Sequence, residues 1–245
     1  MSDDGIFDER IARTYDADDA EMFAPEVLDP TVDFLADLAG NRRALEFASG
    51  TGRVALALSA RGVDVAGIEL SRAMVRQMMV KPGAGRVPVT IGNMATTRVE
   101  GTFGLVYLVF NTITNLLTQD EQVACFCNAA DHLEIGGHFV IEVFVPALRR
   151  LPIGERLVAF DVSDDHVGVD EYDVVDQRLT SHHYWSSDGR AETFNSPHRY
   201  AWPAEYDLMA RIAGLTPSER WSSWRRTPFT AESTSHVSVW EKTST

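Results

Sequence analysis

The stretch from Leu45 to Glu69 restricts what this chain can fold into more than any other part of the sequence. Apolar residues lead into a small-residue turn at 48–52 (Ala-Ser-Gly-Thr-Gly), a helical pattern follows, and an apolar run at 63–68 ends at Glu69. Glycine lets a backbone bend sharply and approach a ligand closely, and the helix after such a turn begins with free N–H groups. The pattern predicts a strand–turn–helix–strand unit that holds a nucleotide-like ligand.

The details of the turn indicate which ligand. Its small residues stand at Ala48, Gly50 and Gly52, and the acid Glu46 precedes them. A dinucleotide fingerprint reads G-x-G-x-x-G, and its third glycine is missing here. The order acid-x-Ala-x-Gly-x-Gly resembles the first motif of class I S-adenosylmethionine-dependent methyltransferases, and Glu69 falls where that family has its ribose-binding acid. The resemblance implies S-adenosyl-L-methionine as cofactor, with S-adenosyl-L-homocysteine as its product.

The rest of the chain predicts an α/β fold in the order that this family shows. Strand patterns cover residues 87–91, 103–110, 138–145, 215–221 and 236–240, and helical patterns cover residues 7–15, 30–39, 72–80, 119–133 and 203–213. We expect a Rossmann-like doubly wound sheet of about seven strands, with the last strand antiparallel. Pro88 places the third strand at an edge or a strand end.

We expect a single methyltransferase domain over residues 1–245. Residues 1–40 are predicted to form an N-terminal helical cap. Residues 146–200 break the alternation of strands and helices and are predicted to form a β-rich insertion over the active site, after strand five. Within this insertion, Ser186-Ser187-Asp188-Gly189 is a hairpin turn signal.

The family resemblance assigns most of the cofactor site. Backbone at 48–52 approaches the amino-acid part of the cofactor, Glu69 accepts both ribose hydroxyls, Leu70 and Met94 flank adenine, and Asn93 accepts from its amino group, where the family usually has aspartate. The rule that ligands bind beyond the carboxyl ends of strands adds residues 110 and 111. The predicted cofactor site comprises Tyr15, Glu46, Ala48, Ser49, Gly50, Gly52, Glu69, Leu70, Asn93, Met94, Phe110 and Asn111.

The residues that contact the methyl acceptor are predicted from fewer sequence patterns than the cofactor site. Four residues are expected to contact the substrate: Tyr15, Thr112, Asn115 and Tyr184. His182 or His183 is the candidate general base, against the alternative that both are surface residues. No metal is expected, because a zinc site needs further ligands and His166 and His198 have no fitting spacing.

Composition and charge limit the classes of partner and the cellular locations that we expect for this chain. A net charge of −14 over 245 residues argues against non-specific nucleic-acid binding, which needs Lys and Arg to neutralise phosphates. Cys125 and Cys127 stand two apart in a helical pattern, so they point in different directions and fit a reduced compartment. The beginning of the sequence lacks signal-peptide features and no apolar run is long enough to cross a membrane. We expect a cytoplasmic protein, a monomer or a homodimer.

The predicted reaction is methyl transfer to a nitrogen or oxygen of a small molecule, such as a secondary metabolite. An amine needs only to arrive unprotonated, whereas a hydroxyl benefits from a base. One alternative is an NAD(P)-dependent oxidoreductase, disfavoured by the missing third glycine and by the lack of a Tyr-x-x-x-Lys motif. The other alternative is a related fold that binds the cofactor without turnover.

Overall fold

The structure is a computed structural model that describes residues 6–187 and 190–244. Its strands are β1 (Ala44–Phe47), β2 (Val65–Glu69), β3 (Val89–Ile91), β4 (Phe103–Leu108), β5 (Leu133–Phe144), β6 (Leu157–Val162), β7 (His166–Asp173), β8 (Arg178–Ser187), β9 (Arg190–Arg199), β10 (Thr216–Trp221) and β11 (Ser235–Glu241). Its α-helices are α1 (Glu9–Asp18), α2 (Pro25–Ala39), α3 (Arg53–Ala60), α4 (Arg72–Met79), α5 (Gln119–His132) and α6 (Pro203–Ile212).

Seven strands form the main sheet in the order β10-β11-β5-β4-β1-β2-β3. Strands β1 to β5 pair in parallel, whereas β11 is antiparallel to both β5 and β10. This topology confirms the predicted Rossmann-like class with an antiparallel last strand. The chain order reverses beside β1, between β2 and β4, which is where open α/β sheets bind ligands. Strand β3 lies at the edge of the sheet, as Pro88 predicts.

Apolar side chains cover both faces of the central strands. Every residue of β1 and β4 is buried, which explains why the 103–110 pattern is an almost unbroken apolar run. Helices α2, α3 and α4 pack on one face through residues such as Leu35, Leu58 and Met78. Helices α5 and α6 pack on the other face through residues such as Phe126 and Met209.

The largest differences from the predicted boundaries are at the starts of α2 and β5. Helix α2 begins at Pro25 rather than at residue 30 and includes Pro30. Pro25 takes the first helical position, where its missing N–H costs nothing. Strand β5 begins at Leu133 rather than at residue 138, so the Gly136 and Gly137 pair lies inside a strand instead of ending a helix. A Cβ atom at Gly137 would lie 2.9 Å from a backbone oxygen, so this bend requires glycine.

The segment after β5 forms a separate antiparallel sheet, in the order β6-β7-β8-β9, as the prediction of a β-rich insertion requires. Its base has a small core that includes Val158, Tyr172 and Leu179 and packs against Phe144 at the end of β5. Strands β8 and β9 pair up to Ser187 and Arg190, but Asp188 and Gly189 of the predicted turn lie outside the described residues.

Across residues 6–187 and 190–244, no helix combines the length and the apolar character needed to cross a membrane.

Candidate functional site

The turn between β1 and α3 has an unusual backbone. Ala48, Gly50 and Gly52 have φ angles of 54°, 56° and 82°. A Cβ atom at Gly52 would lie 2.8 Å from the Met78 side chain, so the backbone conformation and the packing both favour glycine there. Ala48 adopts the left-handed region despite its Cβ, which is uncommon outside functional or strained sites. The first N–H groups of α3 follow directly after this turn.

A cavity of about 270 Å³ lies beside this turn, at the carboxyl ends of the parallel strands. Nine residues of the predicted site line it, namely Tyr15, Ala48, Gly50, Glu69, Leu70, Asn93, Met94, Thr112 and Asn115. Further lining residues that the sequence prediction did not include are Ile6, Phe7, Met74, Gly92, Leu116, Leu117, Glu121 and Pro197. The structure thus brings residues that were predicted to bind the cofactor and residues that were predicted to bind the substrate to one cavity.

Glu69 ends β2 with its carboxylate at the cavity and only 5% of the residue exposed. One carboxylate oxygen accepts the Gly50 N–H at 2.7 Å, and the other accepts the Ser71 N–H at 2.8 Å. These bonds join the glycine turn to the start of α4. A carboxylate has about four acceptor sites, so Glu69 is able to accept ribose hydroxyls in addition. The ribose role stays a prediction.

Asn93 lines the cavity beyond the end of β3. Its side-chain oxygen accepts the Ala95 N–H at 2.8 Å, within its own turn. The same oxygen has a second lone pair, and this lone pair is the one expected to accept a hydrogen bond from the adenine amino group. Leu70, 43% exposed, and Met94 also line the cavity, and their contact with adenine stays a prediction.

Helix α1 brings Tyr15 to the cavity and is fixed to the β1–α3 unit by polar contacts. The Ser71 hydroxyl donates to the Phe7 carbonyl at 2.6 Å, and Asp16 contacts Thr51 and Lys81. Burial, with Asp19 adding to it, raises the pKa of the Tyr15 phenol to about 12. Tyr15 is therefore a neutral hydrogen-bonding group near pH 7.

Three predicted cofactor residues lie behind the cavity wall rather than on its surface, namely Glu46, Ser49 and Gly52. Glu46 is 2% exposed, and burial raises the pKa of its carboxyl to about 8, although the nearby Arg53 opposes this shift. The Ser49 hydroxyl is packed against Gly67, where a Cβ atom would lie 2.8 Å from it. These residues support the backbone of the turn on the side that faces away from the cavity.

Phe110 and Asn111 are not among the residues that line the cavity, and their contact with the cofactor stays a prediction. Both have positive φ angles, of 56° and 61°. The Phe110 N–H donates to Glu142 at 3.0 Å, and the Asn111 side chain accepts the Phe144 N–H at 2.8 Å. These hydrogen bonds tie the end of β4 to the end of β5, directly before the turn that carries Thr112 and Asn115.

His182, His183 and Tyr184 do not reach the cavity, because β8 carries them along the small sheet. His182 lies between Asn195 at 3.0 Å and Glu171 at 3.2 Å. Tyr184 is 48% exposed. The structure therefore gives the two histidines and Tyr184 no direct contact with the predicted methyl-donor site.

His198, which the sequence prediction treated only as a distant metal candidate, lies closer to the site. It is 3.0 Å from the Thr114 hydroxyl, and burial lowers its pKa to about 4. Glu121 also lines the cavity, and its carboxylate accepts from Thr118 in a helix cap. The spacing Thr118-x-x-Glu121 predicts that cap, but nothing in the spacing predicts that Glu121 also lines a ligand site.

Comparisons with known proteins identify the family. A family model described as a methyltransferase domain matches residues 44–137. The cypemycin N-terminal methyltransferase of Streptomyces sp is 26% identical over 250 residues, which cover 99% of this chain and 100% of that protein. The CcbJ methyltransferase structure from Streptomyces caelestis is 37% identical, with a TM-score of 0.84, and the match covers 94% of this chain and 95% of that one.

A third comparison shows the fold alone. CalS10 from Micromonospora echinaspora, an amino pentose methyltransferase involved in calicheamicin biosynthesis and solved with S-adenosylmethionine bound, is 22% identical, with a TM-score of 0.67. The match covers 89% of this chain and 91% of that one. With the full-length relation to CcbJ, the cavity and the glycine turn, the conclusion is that this chain belongs to the S-adenosylmethionine-dependent methyltransferases.

Proposed function

We propose that this enzyme methylates an amine nitrogen of a small secondary metabolite. The observation that carries the choice of nitrogen is the lining of the cavity, where the three residues that we assign to the acceptor, Tyr15, Thr112 and Asn115, all have uncharged polar side chains. A phenol that keeps its proton near pH 7 orients an acceptor but does not remove its proton. An unprotonated amine brings its own lone pair, whereas a hydroxyl gains from a base.

The residues present fit the methyl donor. Glu69 offers a buried carboxylate for ribose hydroxyls, and the turn lines the cavity with its small residues Ala48 and Gly50. When bound, S-adenosylmethionine supplies a methyl group on a positively charged sulfur. The chain then needs mainly to hold two reactants in line and to exclude water, which is where most of the rate gain from positioning arises. Tyr15, Thr112 and Asn115 are the residues we assign to the acceptor.

Charge and relatives support a small, amine-bearing acceptor. The chain carries a net charge of −14, which suits a ligand that is cationic before it loses a proton. The cypemycin enzyme is named as an N-terminal methyltransferase, and CalS10 as an amino pentose methyltransferase. We extend to this chain what these names share, an acceptor that carries an amine.

The test is a transfer assay with S-adenosylmethionine labelled in its methyl group. Primary and secondary amines, including a peptide α-amine and an amino sugar, are compared with hydroxyl compounds of matched shape. We expect labelled product from amines, and equal or faster product formation from the hydroxyl partners would contradict the proposal. Tyr15→Phe is expected to lower kcat/KM for the amine, while calorimetry with S-adenosylhomocysteine shows whether the cofactor site is intact.

A further inference from the structure

The face of the small sheet that carries His183 contains a ring cluster that the proposed chemistry does not use. His166 on β7 is paired with Trp185 on β8, and His183 is two residues before Trp185 on the same face. The ring centroid of Trp185 is 4.9 Å from that of His166 and 5.2 Å from that of His183, with interplanar angles of 20° and 8°. Three nearly parallel rings therefore form one platform.

Gly168 is required beneath this cluster. It is paired with His183 in the β7–β8 ladder, and a Cβ atom there would lie 2.2 Å from the Phe160 ring. The missing side chain lets Phe160 lie against the sheet, 5.3 Å from the His183 ring. The rings of this cluster are therefore packed against each other and against the sheet.

Hydrogen bonds fix the proton positions in the two imidazoles. The Asp161 carboxylate is 2.5 Å from Nδ1 of His166, and Nε2 of His166 is 3.1 Å from Nδ1 of His183. A carboxylate only accepts, so Nδ1 of a neutral His166 carries its proton and Nε2 accepts from His183. His183 then carries its proton at Nδ1 and has a lone pair at Nε2. Among the described residues, no hydrogen bond to that Nε2 atom is present.

Burial, followed by the neighbouring His166 and His182, lowers the pKa of His183. The Nε2 atom is therefore unprotonated near pH 7 and can accept a hydrogen bond. Trp185 is 39% exposed, so a ligand can reach the platform. Acidic side chains at Asp161, Asp164 and Asp165 lie at the same end of the sheet. A lone pair, an indole ring and local negative charge together favour a cation with an N–H group.

The opposite end of the same face meets the main domain. His198 is paired with Leu179, four residues before His183 on β8, and contacts Thr114 beyond the end of β4. Four residues of strand span about 13 Å. Burial lowers the pKa of His198, and the His183 ring is nevertheless close enough to His198 to contribute to this shift. His183 is therefore placed to contact a part of the acceptor that extends from the cavity past His198.

We propose that Asp161, His166, His183 and Trp185 form a distal acceptor subsite that binds a second, cationic nitrogen of the methyl acceptor. An N–H of this group donates to Nε2 of His183, and its charge lies beside Trp185 and Asp161. The inference rests on the proposed function, because it assumes an acceptor that reaches from the cavity to the small sheet. It narrows the acceptor class to molecules with two amine groups.

The first test uses the full chain labelled with ¹⁵N at its seven histidines, saturated with S-adenosylhomocysteine. His183 is expected to carry its proton at Nδ1, which is the less common imidazole form, and to lose this preference in Asp161→Ala, where Nδ1 of His166 has lost its acceptor. The probe is 2-phenylethylamine, with the neutral 2-phenylethanol as its matched partner. We expect the ammonium probe alone to shift the His183 and His166 ring signals in a saturable way.

Substitutions in the ring cluster test where the ammonium probe binds. His183→Gln and Trp185→Ala are each expected to weaken probe binding by about tenfold, as for loss of one charge-assisted contact. Thr193→Ala, on the opposite face of β9, is the matched control and should bind the probe as the natural chain does. Equal shifts with both probes, or none up to the solubility limit, would overturn the proposal. So would a dimer that Trp185→Ala dissociates, because a second copy would then cover the cluster.

The two proposals can fail separately. Methylation of simple monoamines without any effect of the ammonium probe on His183 would refute the subsite and leave the nitrogen acceptor in place. Saturable probe binding in a chain that methylates hydroxyls and no amine would refute the proposed function and support the cation site alone.

Discussion

Replacing Glu69 with alanine tests the ribose assignment most sharply. The carboxylate accepts the N–H groups of Gly50 and Ser71 at 2.7 and 2.8 Å and lines the cavity. Losing the acceptor for ribose hydroxyls is expected to weaken cofactor binding by about 1–3 kcal/mol, or about 5- to 150-fold in Kd. Isothermal titration with S-adenosylmethionine and S-adenosylhomocysteine measures this change directly.

The same substitution also removes the hydrogen bonds that Glu69 accepts from Gly50 and Ser71. A hydrogen bond to a charged group is worth about 1.5–3 kcal/mol of folding free energy, so denaturant unfolding without ligand must be measured beside the titration. Glu100→Ala is the control, because it removes one exposed carboxylate that does not line the cavity. A Kd that is unchanged in Glu69→Ala, in a protein that is still folded, would refute the ribose assignment.

Three further predictions follow from the cavity wall. Asn93→Asp keeps an acceptor for the Ala95 N–H and adds a second carboxylate oxygen, so calorimetry should show up to about tenfold tighter cofactor binding; weaker binding would contradict the adenine role. Gly50→Ala puts a Cβ on a residue with φ of 56°, so urea unfolding should show a loss of about 1–2 kcal/mol. Burial raises the folded-state pKa of the Glu46 carboxyl to about 8, above its ordinary value. The stability of the natural chain relative to Glu46→Gln should therefore be greatest below the ordinary carboxyl pKa, fall as the pH rises from there to about 8, and level off above that pH. A stability difference that does not vary with pH would refute this ionisation.

Local sequence patterns predict the centre of the fold well. The unit from β1 to β2 is encoded by neighbouring residues, because the turn needs small residues and the strands need continuous apolar runs. Glu69 and Asn93 could be assigned to one site because the carboxyl ends of parallel strands meet at one edge, whereas Tyr15 was assigned through the family resemblance. Pro88 likewise indicated an edge strand from a single residue.

The parts that sequence could not supply depend on tertiary geometry. Asn111 follows β4 like a ligand-binding residue, yet its amide is used to hold Phe144. His182 and His183 are adjacent in sequence but lie on opposite faces of one strand, and neither their distance from the cavity nor their partners can be inferred from spacing. Glu121 reads as a helix cap, and only the packed structure shows that it also lines the cavity.

A crystal structure with S-adenosylhomocysteine is the most direct test of the central claim that this cavity holds the methyl donor. The ribose hydroxyls are expected within hydrogen-bond distance of Glu69, with adenine between Leu70 and Met94 and the amino-acid part against the backbone at 48–52. A ligand bound elsewhere, or in the cavity with no hydrogen bond from its ribose to Glu69, would contradict the claim.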